Sequence, residues 1–85
     1  MKTKEEIIEF SKVADYGFLF GAGLMAANDE ETRNFISEKI EDADSYELLS
    51  EVGEEASELQ PEFENGCEIY RFIKTNAWQL YIAVY

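Results

Sequence analysis

The side chains able to do chemistry in this chain are almost all carboxylates. There are 19 aspartates and glutamates, no histidine and one cysteine. Without histidine there can be no Ser-His-Asp or Cys-His arrangement. Cys67 has no basic neighbour in sequence to lower its pKa. Beside Gly66 in an expected strand, it reads as a small buried thiol rather than a nucleophile. Structural zinc wants four Cys or His ligands, which one copy of this chain cannot supply. Paired carboxylates can serve as acid and base. Among 19 acids, however, some pairs fall close by chance. Glu41-Asp42-Ala43-Asp44 looks like a fragment of a calcium loop. Counted from Asp42, its sixth and twelfth places hold Glu47 and Gly53, where such a loop needs glycine and a bidentate glutamate. A Gly-rich stretch around Gly21 and Gly23 completes neither a phosphate loop nor a dinucleotide fingerprint. The expectation is no enzyme, no catalytic residue, no metal site and no cofactor.

What the carboxylates do show is a distribution. Between Asp29 and Glu64 there are 14 acids against Arg33 and Lys39, which accounts for the whole net charge of −12. Outside that stretch five bases meet five acids. Glu47, Glu51, Glu54 or Glu55, and Glu58 recur every three or four residues. On a helix that spacing sets carboxylates roughly 5–6 Å apart in a row. Duplex DNA carries a phosphate about every 3.4 Å of axis on each strand. An acid row therefore resembles a phosphate track in sign and approximate spacing. Glu38, Glu41, Asp42 and Asp44 extend the candidate partner-binding surface. The competing reading is a solvated helix face that serves only solubility.

The elements that must position these groups follow from periodicity and capping. Thr3 and Glu6 form a capping box, so a helix starts there and buries Ile7, Phe10 and Ala14, with Ile8 beside them. Tyr16 to Ala27 is apolar without alternation. Its first half prefers strand and its second half helix, and the balance favours a buried helix. Asn28 or Asp29 caps the next helix, whose buried stripe is Phe35, Ile36 and Ile40 and which breaks near Asp42–Asp44. Asp44 or Ser45 then caps a third amphipathic helix, carrying the acid row opposite Leu48, Leu49, Val52, Ala56 and Leu59. Pro61 stops it.

Asn65-Gly66 signals a tight turn, with a short strand before it. Cys67–Ile73 and Trp78–Tyr85 read as two strands of a hairpin. Trp78, Leu80, Ile82 and Val84 form the core face of the second. A three-residue loop pairs Tyr70 with Ile82 and Phe72 with Leu80. A two- or four-residue loop instead puts Arg71 on the core side. Tyr81, Tyr85 and in one register Tyr70 fall on the opposite face. The expected fold class is α+β: three to four short helices followed by a C-terminal antiparallel β-hairpin of two or three strands. Eighty-five residues make one domain, 1–85.

The longest mostly apolar run, Tyr16–Ala27, is short of the roughly 20 residues that span a bilayer. The first residues turn acidic where a secretory signal turns apolar. A cytoplasmic location is the expectation. Nucleic acid and anionic membrane would both repel the chain. A basic protein would not, and a nucleic-acid-binding protein or nuclease is the expected partner. In size and charge the chain resembles the acidic anti-defence proteins of phages and mobile elements, such as anti-CRISPRs and other DNA mimics. It is also similar to the acidic immunity proteins that neutralise nuclease toxins. No family motif accompanies that resemblance, so no residue roles come with it. What it implies is an inhibitor that occupies a basic, nucleic-acid-binding surface. The alternative expectation is a regulatory or structural homodimer that associates through a hairpin edge or the Gly-rich apolar stretch.

Overall fold

Thr3 opens the first helix as the capping box predicts. In the computed structural model, its hydroxyl accepts from the Glu6 N–H at 3.1 Å, and the Glu6 carboxylate accepts from the Thr3 N–H at 2.9 Å. The structure describes residues 1–21, 23–49 and 67–85. Helix α1, Lys4–Val13, buries Ile7 and Ser11, with Ile8, Phe10 and Ala14 packed partly against the core.

The stretch expected as a buried helix is a β-hairpin. Strands β1, Tyr16–Phe20, and β2, Leu24–Ala27, pair antiparallel from Tyr16↔Ala27 to Leu19↔Leu24. Gly21 and Gly23, at φ +81° and +95°, take the left-handed backbone that turns the chain. Pairing with aromatic-rich β1 overrides the helical propensity of Leu24-Met25-Ala26-Ala27.

Asp29 caps helix α2, Glu30–Asp42, by accepting from the Thr32 N–H at 2.8 Å. Ile36 and Ile40 are fully buried, whereas Phe35, expected beside them, is 43% exposed. The next expectation also fails at its start. Asp44 does not cap a helix: its carboxylate accepts the Thr75 N–H at 2.8 Å, and Ser45–Leu48 is strand β3. Ser-Tyr-Glu-Leu alternates, with Tyr46 and Leu48 turned to the core. The remainder of the expected third helix, Pro61, the strand before residue 65 and the Asn65-Gly66 turn lie outside the described residues.

Strands β4, Glu68–Lys74, and β5, Trp78–Val84, adopt the three-residue-loop register, with Tyr70↔Ile82 and Phe72↔Leu80. Asn76 in that loop has φ +61°, a conformation asparagine tolerates well. Beyond this hairpin the β content exceeds the expectation. Among the described residues, five strands form one antiparallel sheet in the order β2-β1-β5-β4-β3, accompanied by two helices. The strands precede as well as follow α2. A lone hairpin is marginal in water. Here β1 adds to β5 and β3 to β4, so the hairpin becomes the centre of the sheet.

The helices cover one face of the sheet. Ile7, Ile36 and Ile40 meet Phe18, Tyr70, Phe72, Leu80, Ile82 and Val84 in the main core. Tyr70 is therefore core and fully buried, not an outer-face tyrosine. Its partner in that expectation, Tyr85, is exposed. On the opposite face a smaller cluster joins Leu49, Ile69 and Ala83, with Leu19, Cys67 and Tyr81 against it.

Candidate protein-binding surface

All seven basic residues of the sequence lie in described segments, and their placement decides which acids remain available. Lys4, at the start of α1, donates to the Glu41 and Ala43 carbonyls at 3.1 and 3.2 Å. Arg33, in the first turns of α2, pairs with Asp15 just past α1 at 2.9 Å. The two helices thus run antiparallel, and Lys4 satisfies carbonyls where the α2 dipole favours a cation. Lys2 pairs with Glu68 at 3.5 Å. Arg71 pairs with Glu47 and lies 6.0 Å from the Tyr81 ring centre. Lys74 reaches Asp44 at 3.4 Å and Asp42 at 3.6 Å. Lys39 folds inward, its ammonium 5.3–5.6 Å from the centres of Phe35, Trp78 and Phe20. That distance suits a cation–π contact with each ring. Lys12 is exposed on α1.

The cations are therefore largely spent inside the fold. The sequence-predicted acids separate accordingly. Glu47 sits on strand β3, not on a helix, and bonds Arg71 across to β4. The hydrogen bond with Tyr81, followed by the Glu47 contact, outweighs burial and raises the Arg71 pKa. Asp42 and Asp44 hold Lys74. The Thr75 N–H, then the Thr75 side chain, keeps the Asp44 carboxyl below its usual range, and Asp44 in turn leads in raising Lys74. Glu38 and Glu41 are exposed on the outer side of α2. Glu51, Glu54, Glu55 and Glu58 lie outside the described residues.

A surface that the sequence reading passed over joins Glu38 and Glu41. Glu5, Glu6 and Glu9 are exposed on α1, and Glu30, Glu31 and Asp42 on α2. The two helices pack on each other over the same sheet face, so their outer sides form one layer. Residues three or four apart on a helix are surface neighbours. Glu5 with Glu9, and Glu38 with Glu41 and Asp42, therefore stand in short rows. The α1 acids had been counted as balanced by nearby bases in sequence. The available signal was their spacing relative to Ile7 and Ser11, which places them on the outward side.

Among the described residues, no group of three His, Cys, Asp or Glu side chains gathers as metal ligands. A cavity of about 440 Å³ opens between the β1–β2 and β4–β5 turns, beside Leu19, Phe20, Trp78, Gln79 and Tyr81. Tyr81 is the one ionisable group in its lining. No helix among the described residues is long and apolar enough to cross a membrane. In comparisons with known proteins, the chain matches no family model, no curated protein and no solved structure.

Proposed function

We propose that this protein is a small acidic inhibitor that docks its two-helix layer on a basic, nucleic-acid-binding surface of a partner protein. The observation carrying the proposal is the asymmetry of charge use. Six of the seven lysines and arginines, all but the exposed Lys12, are drawn into internal contacts, while Glu5, Glu9, Glu31, Glu38 and Glu41 face outward. Like charges spaced along a helix destabilise it by a few tenths of a kcal/mol per pair. A partner's lysines and arginines relieve that repulsion on docking. Competition is then electrostatic: carboxylates stand where phosphates would, and long-range attraction speeds encounter at low salt. Asp42, Asp44 and Glu47 take structural parts in this reading because each already has a cation of its own chain.

The test is capture of a basic partner from a nuclease-treated lysate, with elution by a salt gradient and, separately, by added duplex DNA. The expected partner is released by both. Reversing Glu5, Glu9, Glu38 and Glu41 together to Lys should abolish capture while circular dichroism stays unchanged. Capture that survives the reversal, or that DNA cannot displace, overturns the proposal.

A further inference from the structure

We infer that Phe20, Phe35 and Trp78 form a binding box for a methylated ammonium head, and that Lys39 of this chain is its resident competitor. The three rings come from separate elements. Phe20 ends β1, Trp78 opens β5 on the same face of the sheet, and Phe35 stands on α2 one turn before Lys39. The Lys39 ammonium lies 5.6 Å from the centre of Phe20, 5.3 Å from Phe35 and 5.5 Å from Trp78. One cation therefore sits over three ring faces at once. Phe35 is 43% exposed and the other two rings are partly buried, so the box reaches the surface.

Two observations define the ligand. The first is the choice that Lys39 makes. The chain carries a net charge of −12. Among the described residues, Lys39 nonetheless has no carboxylate within ion-pair distance, and Asp42, three residues on, pairs with Lys74 instead. The rings hold an alkylammonium in competition with nearby acids. The second is shape. The Phe35 and Trp78 rings incline at 78° and 67° to Phe20, with centres 5.8 and 5.6 Å from it. A planar guanidinium stacks flat on one ring. Walls this steep instead surround a rounded, tetrahedral head. A primary ammonium is strongly hydrated, which opposes its transfer to an aromatic site. Methyl groups in place of its N–H donors remove that hydration and keep the charge, and such heads are the ligands that aromatic cages take. The field of an acidic protein concentrates cations of this kind at its surface. Either a free small molecule or a methylated lysine of another protein can carry the head. The site stands whether or not the helix layer docks a basic partner.

Trp78 is the only tryptophan of the chain, so its fluorescence reports on the box directly. Titration of the full chain with choline chloride, against sodium chloride at matched ionic strength, should give a saturable change in emission. Lys39→Ala removes the competitor and should tighten choline binding roughly tenfold. Alanine suits a helix, so the circular dichroism of this variant should match the parent's. Neohexanol, the uncharged carbon isostere of choline, should give no saturable response. Phe35→Ala in the Lys39→Ala background takes away an exposed wall and should weaken choline binding roughly fivefold. A short acetylated peptide carrying trimethyllysine, titrated beside choline, separates the two sources. Tighter binding of the peptide assigns the head to a modified protein, and tighter or equal binding of choline assigns it to a free small molecule. No saturable response in Lys39→Ala, equal affinity in that variant and the parent, a response to neohexanol equal to that to choline, or choline binding unweakened by Phe35→Ala overturns the inference.

Discussion

At one edge of the sheet β3 is fixed to three other parts of the molecule; at the other, β2 is held by β1 and the flank of α2. The Tyr46 hydroxyl donates to the Lys2 carbonyl at 3.0 Å, and its ring stacks on Phe72 at 5.2 Å. Glu47 engages Arg71, and Asp44, just before β3, holds Lys74 and the Thr75 N–H. The Tyr70 hydroxyl accepts from the Lys2 N–H at 2.9 Å and donates to Glu68, so the N-terminal residues strap this same side. Strand β2 has no ionisable side chain at all. The difference teaches where a chain with few bases places them. Three of its seven cations, Lys2, Arg71 and Lys74, serve the β3–β4 side. Strand β2 carries no acids, so it calls on none of the chain's bases to balance them.

The largest contrast lies in side-chain deletion at the two edges. Leu48 on β3 is 5% exposed, whereas Met25 on β2 is 47% exposed. Leu48→Ala should lower unfolding free energy by about 2–4 kcal/mol, through lost transfer energy plus a residual cavity. Met25→Ala should change it by less than about 0.5 kcal/mol in the monomer. Urea melts at low salt and low protein concentration measure both. Equal losses would mean that the two edges are equally anchored.

Next in size is the Glu47–Arg71 pair. Its side chains are 29% and 15% exposed, enough to desolvate the ions without isolating them. Removing Glu47 takes one partner from Arg71, and removing Arg71 leaves the Glu47 carboxylate partly buried without that cation. A double-mutant cycle with Glu47→Gln and Arg71→Met should return a coupling of about 1–2 kcal/mol, above the value of exposed pairs. Coupling near zero would assign Arg71 to its contact with Tyr81 instead, and the β3 edge would owe little to charge.

Local chemistry was legible in the sequence; long-range pairing was not. Thr3 with Glu6, Asp29 with its acidic first turn, and the alternation of Trp78 to Val84 are each set within a few residues. They appear where expected. The strands β1, β2 and β3 could not be read that way. Tyr16–Ala27 has no alternation because its β1 half is covered on both faces: Phe18 enters the main core while Leu19 joins the opposite cluster. Ser45–Leu48 is four residues long, too short for its period to stand out from the helical pattern of the acids after it. Asp44 compounded this, because an acid before an amphipathic run looks like a helix cap. Its carboxylate instead accepts from the Thr75 N–H, 31 residues away. The same limit applies to the charge. Totals showed an acidic surplus, but only the contacts show that Glu47 is committed to Arg71 and that Glu5 and Glu9 stand on the outer layer with Glu38.

The smallest expected effect isolates the charge at the β3 corner through its pH dependence. Asp44 has its pKa lowered from 3.8, first by the Thr75 N–H and then by the Thr75 side chain, with Lys74 adding to them. A carboxyl depressed by folding contributes stability above its unfolded pKa, and that contribution is lost as pH falls through the folded value. Lys74 is raised from 10.5, first by Asp44 and then by Asp42, so its contribution is present below that value and is lost as pH climbs through the folded one. The corner therefore helps the fold across the neutral range and fails at both ends. Asp44→Asn can still accept from the Thr75 N–H but cannot attract Lys74. Its melting temperature should lie below the parent's at neutral pH, and the two should converge as pH falls past the unfolded carboxyl's value of about 4 and on through the lower folded one, where the parent's own carboxyl becomes neutral. The comparison between variant and parent matters more than either curve. Acidification also discharges the outer helix layer, which relieves repulsion in both proteins alike. A gap that stays constant down to acid pH would show that Asp44 acts through its hydrogen bond alone, and the β3 edge would then be held by neutral contacts.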